Sequence, residues 1–113
     1  MTRSQSNLLR GALDLLILKA LSSGPAHGYG VLEWLERTVG EQVLVEEGTL
    51  YPALHRLEDR GWIRASWGVS ENNRRAKFYE LTGPGRERLA ADGREWAEFA
   101  RAVMGALGTT GRG

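Results

Sequence analysis

Three basic residues stand close together in the second half of the chain and could bind phosphate groups. Arg74, Arg75 and Lys77 follow a polar stretch, and Glu71 and Glu80 are the nearest acids on either side. Cationic side chains that neutralise nucleic-acid phosphates release counterions, so binding of this kind weakens steeply as salt rises. The grouping predicts a phosphate-binding segment, and its alternative is an ordinary polar turn.

No constellation of residues predicts catalysis or a metal site. His27 and His55 are far apart and neither has an acid at metal-ligand spacing, so His27 is expected to cap or pack beneath a helix. The chain has no Cys, which excludes thiolate sites and disulfides, and its serines form no nucleophile elbow or triad. Gly28 and Gly30 begin a dinucleotide-like run, but Glu33 stands where the third Gly is required. We expect no enzyme activity, no cofactor and no metal.

The overall charge at first argues against a nucleic-acid partner. The chain has 113 residues, 15 basic and 14 acidic, and its formal charge is +1, whereas nucleic-acid-binding domains are usually strongly basic. The charge is unevenly distributed, because residues 56–77 hold six basic and three acidic residues. A local excess of this kind still permits nucleic-acid binding by a near-neutral chain. Such binding would depend more on the matched geometry of two copies in a dimer than on the total charge.

Length and composition fit one domain with a modest core, since 42% of the residues are hydrophobic. The densest apolar stretch, residues 15–18, is closed by Asp14 and Lys19, so neither a membrane segment nor a signal peptide is expected. The lack of Cys suits a reducing compartment. These features predict a cytoplasmic protein.

Hydrophobic periodicity predicts four helices and one β-hairpin. The helices are expected over residues 7–21, 27–39, 49–60 and 83–107, and the strands over 62–69 and 76–81. Gly40 and Gly61 are expected to end the second and third helices, and residues 41–47 to be extended or irregular. The apolar stripe of the first helix is expected to contain Leu9, Leu13, Leu16 and Ala20.

Residues with capping side chains mark three helix starts. Asn7, Thr49 and Thr82 are the expected N-caps, because their side-chain oxygens can accept a hydrogen bond from a first-turn N–H. Pro52 and Pro84 are expected in the first turns that follow, where no N–H is needed.

The last helix carries an apolar seam in alternating steps of four and three residues, which is the a/d spacing of a coiled coil. The seam consists of Leu89, Gly93, Trp96, Ala100, Val103 and Leu107. It predicts that this helix pairs with a second copy, through an interface formed by Leu89, Trp96, Phe99, Ala100, Val103 and Leu107. The Gly- and Thr-rich residues 108–113 are expected to be disordered.

The order of elements, three helices, a hairpin and a final helix, is that of a winged helix-turn-helix. The expected fold is mostly α with a small β-hairpin. A DNA-binding domain is expected over residues 1–82, a C-terminal dimerisation helix over 83–107 and a tail over 108–113. In this architecture the third helix enters the major groove of double-stranded DNA, and the hairpin lies along the backbone or the minor groove.

Three sequence motifs resemble those of the PadR family of bacterial transcriptional regulators. They are His27-Gly28-Tyr29, Gly48-Thr49-Leu50-Tyr51-Pro52-Ala53-Leu54-His55-Arg56-Leu57-Glu58, and Tyr79-Glu80-Leu81-Thr82 with Gly85. The similarity spans residues 8–107. It implies a dimeric repressor that binds inverted-repeat operators and is often released by a small aromatic or lipophilic effector. The short C-terminal portion resembles the small-subunit branch, which has one dimerisation helix.

The chain departs from the family pattern in its hairpin. Family members commonly carry a Gly-Arg-rich run before the second strand and a basic residue before the Leu-Thr pair. Here the turn reads Asn72-Asn73-Arg74-Arg75, and Glu80 takes the later position. The hairpin nevertheless remains basic through Arg74, Arg75 and Lys77.

The third helix is expected to bury an apolar stripe of Leu50, Ala53, Leu54 and Leu57 and to contact DNA with the side that this stripe leaves exposed. The DNA-binding residues predicted for the helix and the hairpin are Thr49, Tyr51, Pro52, His55, Arg56, Arg74, Arg75 and Lys77. Arg56 can donate two hydrogen bonds to guanine or clamp a phosphate. The alternative is a solvated helix face on which Arg56 pairs with Asp59 or Arg60 with Glu58.

Trp96 has two candidate roles. It fills the dimer interface, or it forms with its copy across the twofold axis two walls on which a flat aromatic effector stacks, as in small members of the family. The residues predicted to line that pocket are Leu9, Leu13, Asp14, Trp96, Phe99 and Ala100.

A second class of function uses the same elements without specific DNA binding. In this alternative the chain is a winged-helix protein–protein adaptor whose third helix and hairpin grip an acidic partner. A gel shift with a palindromic DNA site separates the two classes.

Overall fold

The computed structural model describes residues 3–40 and 47–108, and their side chains over residues 11–40 and 48–108. Four helices and three short strands account for most of these residues. They run in the order α1 (Arg3–Ala20), β1 (Ala26–His27), α2 (Gly28–Val39), α3 (Glu47–Asp59), β2 (Ile63–Val69), β3 (Arg75–Leu81) and α4 (Gly83–Leu107), with a 3-10 turn at Leu21–Ser23. This mostly helical chain with a small antiparallel sheet confirms the predicted fold class. Within the described ranges, no helix is long and apolar enough to cross a membrane.

The core forms where α1, α2 and α3 pack against the base of the sheet. The predicted stripe of α3 is confirmed by four fully buried residues, Leu50, Ala53, Leu54 and Leu57. In α1, Leu13 and Ala20 are buried as predicted. Leu16 is only half-buried, and Ile17 and Leu18 take its place in the core. The stripe is broader than predicted because α1 packs against α2, α3 and α4 at once.

The sheet has a third strand that periodicity did not predict. Its order is β1-β3-β2, and β1 pairs with β3 through Ala26 opposite Tyr79 and His27 opposite Phe78. A two-residue strand shows no alternation, so nothing in the pattern of polar and apolar residues reveals it. The predicted hairpin is present as β2 and β3, which we call the wing together with the turn at residues 70–74 between them.

Two predicted helix starts are wrong. α1 begins at Arg3 rather than after Asn7, since each residue added to a formed helix gains a hydrogen bond. α3 begins at Glu47, so Thr49 is not its N-cap and Pro52 lies inside the helix. A proline there costs about 3 kcal/mol, which is offset by burying leucines at about 1.5–3 kcal/mol each.

Other predicted ends are confirmed or lie outside the described residues. Gly40 ends α2 at φ 61°, as expected. Gly108, expected to begin the tail, instead ends α4 in the left-handed conformation at φ 76°. Of the predicted irregular stretch at residues 41–47, Glu47 instead begins α3, and residues 41–46 lie outside the described residues, as does the remaining tail at 109–113.

A tight junction joins the end of α3, the start of β2 and the start of α4. The Thr82 hydroxyl accepts a hydrogen bond from the Gly85 N–H (3.1 Å), which confirms the predicted N-cap, and it donates one to the Gly61 carbonyl (2.6 Å). The Thr82 N–H donates to the carbonyl of Trp62 (3.1 Å). A Cβ on Gly85 would overlap that same carbonyl, so only glycine lets α4 begin so close to the sheet.

Cation–π contacts reinforce this junction. The guanidinium carbons of Arg60 and Arg88 lie 5.2 and 4.7 Å from the ring centroid of Trp62. Arg88 also pairs with Asp92 one turn further along α4 (3.1 Å). The contacts couple the direction of α4 to the body formed by α1–α3 and the sheet.

The second half of α4 exposes large apolar side chains. Phe99 is 60% exposed, Val103 38% and Leu107 69%. Three such side chains at consecutive turns of one helix form an apolar face of the kind that marks a protein–protein contact.

Candidate nucleic-acid interface

A cleft of about 540 Å³ lies between the wing and the exposed sides of α2 and α3. We call it the wing cleft. Its lining consists of His27, Gly28, Tyr29, Tyr51, His55, Trp67, Ser70, Asn72, Arg74, Arg75, Ala76, Lys77 and Tyr79. Three of these residues are basic, and within the described part of the chain none of the lining residues is acidic. The cleft therefore presents a cationic wall opposite the exposed side of α3.

The predicted DNA-binding residues divide into three groups. Five of them meet in the wing cleft: Tyr51, His55, Arg74, Arg75 and Lys77. Thr49 and Pro52 are exposed on α3 but do not line the cleft. Arg56 lies at the other edge of the helix and is half-buried.

Strand register explains why the wing turns its cations towards the cleft. Directly opposite residues share one side of an antiparallel pair, and Trp67 stands opposite Lys77 and Val69 opposite Arg75. The same side carries the core residues at the base of the wing, and beyond the core it is open, with Trp67 61% exposed. Arg75 stacks on Trp67, its guanidinium carbon 4.9 Å from the ring centroid.

Trp67 was not among the predicted site residues, because an isolated tryptophan in a strand usually packs against its own protein. The signal that could have found it is its register. Once β2 and β3 are aligned, Trp67 falls on the same side as Lys77 and Arg75.

Lys77 is the most constrained of the wing cations. Its Nζ lies 3.8 Å from a carboxylate oxygen of Glu58 on α3 and 5.6 Å from the ring centroid of Tyr79. Burial is the main reason why the pKa of Tyr79 is raised, so this phenol stays neutral at physiological pH. Lys77 therefore joins the wing to α3, and Glu58 partly offsets the charge that it brings to the cleft.

Glu80, the departure from the family pattern, does not reduce the charge of the cleft. It stands opposite Arg64 on the other side of the hairpin, and the Arg64 Nε donates a hydrogen bond to a Glu80 carboxylate oxygen (2.8 Å). The charge of Glu80 is therefore paired with Arg64 and turned away from Arg75.

His27 caps α2, as the sequence predicted, and also holds the wing. Its Nδ1 accepts a hydrogen bond from the Gly30 N–H (3.0 Å), and its Nε2 lies 3.6 Å from a carboxylate oxygen of Glu71 at the tip of the wing. A backbone hydrogen bond and the His27 side chain keep the pKa of Glu71 below its ordinary value. The contact brings the wing tip close to the first turn of α2.

Tyr51 depends on the absence of a side chain at Gly28. A Cβ on Gly28 would lie 2.6 Å from the Tyr51 hydroxyl oxygen and 2.7 Å from its Cε1. The phenol ring of α3 therefore rests directly on the first residue of α2. This contact connects two of the sequence motifs, which lie more than twenty residues apart.

Arg56 is engaged by a residue of α1. Its Nη2 lies 2.7 Å from the Asp14 Oδ1, and the two side chains are 31% and 26% exposed. The Arg56 Nε is buried, without a hydrogen-bond partner among the described residues. The sequence predicts that Arg56 contacts DNA or pairs with Asp59. It does not predict the ion pair with Asp14, which is predicted instead to line the effector pocket.

The other residues predicted for the effector pocket are spread over two helices. Leu13 is buried in the core, Trp96 is half-buried, and Phe99 and Ala100 are exposed on α4. The side chain of Leu9 lies outside the described residues. Exposed residues of this set can line a cavity only if a second copy covers them.

Comparisons with known proteins agree on one family. A model of the transcriptional regulator PadR-like family matches residues 17–91. The chain is 36% identical to the transcriptional regulator Rv3488 of Mycobacterium tuberculosis, over 85% of this chain and 86% of that protein. It is 27% identical to the negative transcriptional regulator PadR of Bacillus subtilis, over 68% of this chain and 42% of that protein.

Solved structures show the same similarity. A transcriptional regulator from Streptococcus superposes with a TM-score of 0.80 at 28% identity, covering 95% of this chain and 99% of that one. A PadR-like transcriptional regulator from Bacillus cereus gives 0.78 at 27% identity, covering 89% and 96%.

Proposed function

The chain belongs to the PadR-like family of transcriptional regulators, which are not enzymes, and from that premise we propose that it is a repressor that binds an inverted-repeat operator as a homodimer. The observation that carries the proposal is the wing cleft, whose basic residues face the exposed side of α3 with no acid in the described lining. The similarity to a negative regulator supports repression as the direction of control.

In the proposed complex α3 enters the major groove and the wing lies on the adjacent backbone. His55, Tyr51 and Thr49 are exposed on α3 and face base edges or phosphates, with Pro52 beside them. Arg74, Arg75 and Lys77 contact phosphates from the wing. The resulting affinity is modest per subunit, because the net charge of the chain is only +1.

The proposed dimer uses the exposed apolar face of α4. Phe99, Val103 and Leu107 cover their counterparts in the second copy, and Trp96 and Ala100 continue the interface towards the body. Leu89, also predicted for the interface, packs partly buried against the core of its own chain and would only border it. Two recognition helices then reach successive major grooves, about 34 Å apart.

A small aromatic or lipophilic effector is part of the same proposal. Trp96 is half-buried on α4 close to the proposed interface, where a copy across the twofold axis supplies a second indole ring. A ligand between the rings regulates DNA binding only if it favours one of two dimer geometries. The regulator would act in the cytoplasm, where its operator is accessible.

Operator binding tests the proposal directly. An inverted repeat obtained by selection from random DNA, its single half-site and a scrambled duplex are compared by fluorescence anisotropy over a salt series. We expect the inverted repeat to bind at least about a thousandfold more tightly than the scrambled duplex, the usual margin of specific over non-specific binding. A panel of flat aromatic compounds added to the complex tests release. Equal binding to all three duplexes, with retention on an acidic peptide, would instead indicate the adaptor.

Gly28→Ala is expected to lower operator affinity about tenfold with little loss of stability. The new Cβ would lie 2.6 Å from the Tyr51 hydroxyl oxygen, which is closer than van der Waals contact allows, so the flexible tyrosine turns away and its contact with a phosphate is lost. A hydrogen bond to a charged group is worth about 1.5 kcal/mol or more, which corresponds to about tenfold in affinity. The measurement is operator affinity together with the thermal unfolding midpoint.

Gly30→Ala is the matched control on the same helix. Its Cβ would lie 3.5 Å from the nearest atom, a carbon of the His27 ring, which is an ordinary contact. We expect this variant to bind the operator like the wild type. If both glycine variants bind equally well, Tyr51 does not contribute from the position described above.

A further inference from the structure

The ion pair between Arg56 and Asp14 joins two parts of the molecule that the proposed function uses separately. Arg56 belongs to the recognition helix, whereas Asp14 lies on α1, which packs against both α3 and α4. The two residues are 42 positions apart in sequence, and the oxygen–nitrogen distance between them is 2.7 Å. The pair therefore bridges the DNA-reading helix and the helix that borders the proposed dimer interface.

We propose, on the basis of the proposed function, that Arg56 is a positioning residue and not a DNA contact. Asp14 holds its guanidinium against α1, and the pair fixes the position of α3 relative to the rest of the dimer. Specific operator binding then needs both members of the pair, although neither touches DNA.

The surroundings of Arg56 favour the positioning role. The neighbouring residue His55 lines the wing cleft, whereas Arg56 does not, so the helix turns these two side chains to different sides. Arg56 is 31% exposed, and its Nε is buried among the described residues. A guanidinium swung out to reach DNA would have to break its bond to Asp14 and leave that carboxylate unpaired in a half-buried place, which is unfavourable.

The partial burial of the pair also restricts the movement of its two side chains. Exposed ion pairs contribute little because water and salt screen them, but a partly buried pair is screened less. Asp14 stands next to Leu13 and one turn before Ile17 and Leu18, all three of which are buried. A displacement of Asp14 thus requires a displacement of the α1 core contacts, and the position of Arg56 follows that of α1.

The test is a mutant cycle that a direct DNA contact cannot reproduce. Asp14→Asn, Arg56→Gln and the double variant are measured on the inverted repeat and on scrambled DNA over a salt series. We expect each single variant to lose about tenfold in operator affinity, and the double variant to lose no more than either, as coupled neighbours do. The dependence of affinity on salt stays as in the wild type, because no phosphate contact is removed.

The operator affinity of a charge-reversed pair is a second test, and its result does not depend on the stability of the single variants. In Asp14→Arg/Arg56→Asp the ion pair is restored with its charges exchanged. If Arg56 is a positioning residue, this variant should bind the operator within about threefold of the wild-type affinity, since the ion pair is re-formed. A direct contact predicts a large loss, since a carboxylate would then face the DNA.

The surface pair of Arg64 and Glu80 supplies the control. Arg64→Gln/Glu80→Gln removes an exposed ion pair of the same kind from the side of the wing turned away from the cleft. This variant is expected to bind the operator like the wild type.

The outcomes separate the two proposals. If Asp14→Asn binds the operator as tightly as the wild type or more tightly, and Arg56→Gln lowers the salt slope by about one, Arg56 contacts a phosphate and the positioning role is wrong while the proposed function stands. If the wild type itself does not prefer the inverted repeat, the proposed function is wrong and the positioning role falls with it.

Discussion

Arg74→Ala/Arg75→Ala is expected to lower operator affinity at least about a hundredfold at near-physiological salt. Both residues line the wing cleft, and each contact between a guanidinium and a phosphate is worth about 1.5–3 kcal/mol. The slope of log affinity against log salt should fall by about two, because two fewer counterions are released. Anisotropy titrations at several salt concentrations measure both quantities, and the loss should affect scrambled DNA as well, since phosphate contacts carry no sequence information.

The matched control removes the same charge from another part of the chain. Arg94 and Arg101 are exposed on α4 at positions next to the seam residues Gly93 and Ala100, one heptad apart. Arg94→Ala/Arg101→Ala should change affinity only a few-fold through the long-range field. If the control and the wing variant lose affinity equally, the wing acts only through net charge and the cleft is not the binding surface.

Phe99→Glu/Val103→Glu is expected to produce a monomer and to reduce affinity for the inverted repeat at least a hundredfold. Both side chains are exposed in the single chain, so glutamates there are tolerated by the fold but place four like charges across the proposed dimer seam. A monomer loses the second half-site, whose binding is favoured by the high effective concentration that the dimer provides. Sedimentation and operator titrations measure the two effects on the same sample.

Affinity for a single half-site distinguishes loss of the dimer from general damage. The wing cleft is formed within one chain, so the variant should bind a half-site like the wild-type subunit does. Its helical content and unfolding cooperativity should also be retained. A variant that remains dimeric would show that Phe99 and Val103 lie outside the interface.

The elements with strong local signals could be predicted from sequence. The hairpin of β2 and β3, the cap at Thr82 and the glycine end of α2 each depend on neighbouring residues, and all three are present. The stripe of α3 also follows from local spacing, since helical periodicity alone decides which leucines face inwards. In these features the tertiary structure favours the same conformation as the local sequence does.

The features that could not be predicted depend on residues distant in sequence. β1 exists because its two residues pair with β3, some fifty positions later. The bond from Asp14 to Arg56 depends on how α1 crosses α3, and the contact of Tyr51 with Gly28 on how α3 approaches α2. Periodicity describes one element at a time, so it cannot show which element will be its neighbour.

The helix starts illustrate a competition between local and tertiary effects. Thr49 and Pro52 are strong start signals, yet α3 extends upstream of both. Capping residues and prolines affect the free energy of one helix end only. Packing against the core involves the whole helix, and here it outweighs these local signals.

The fixed junction at the base of α4 makes this helix a lever arm. Hydrogen bonds of Thr82 and the close approach at Gly85 prevent the helix from bending where it leaves the body. With 25 residues, α4 is about 37 Å long, so a tilt of only about 5° at its far end displaces the body by about 3 Å. That is close to the rise of about 3.4 Å between successive base pairs. In the proposed dimer, a tilt this small between the two copies would move each recognition helix out of register with its half-site by nearly one base-pair step.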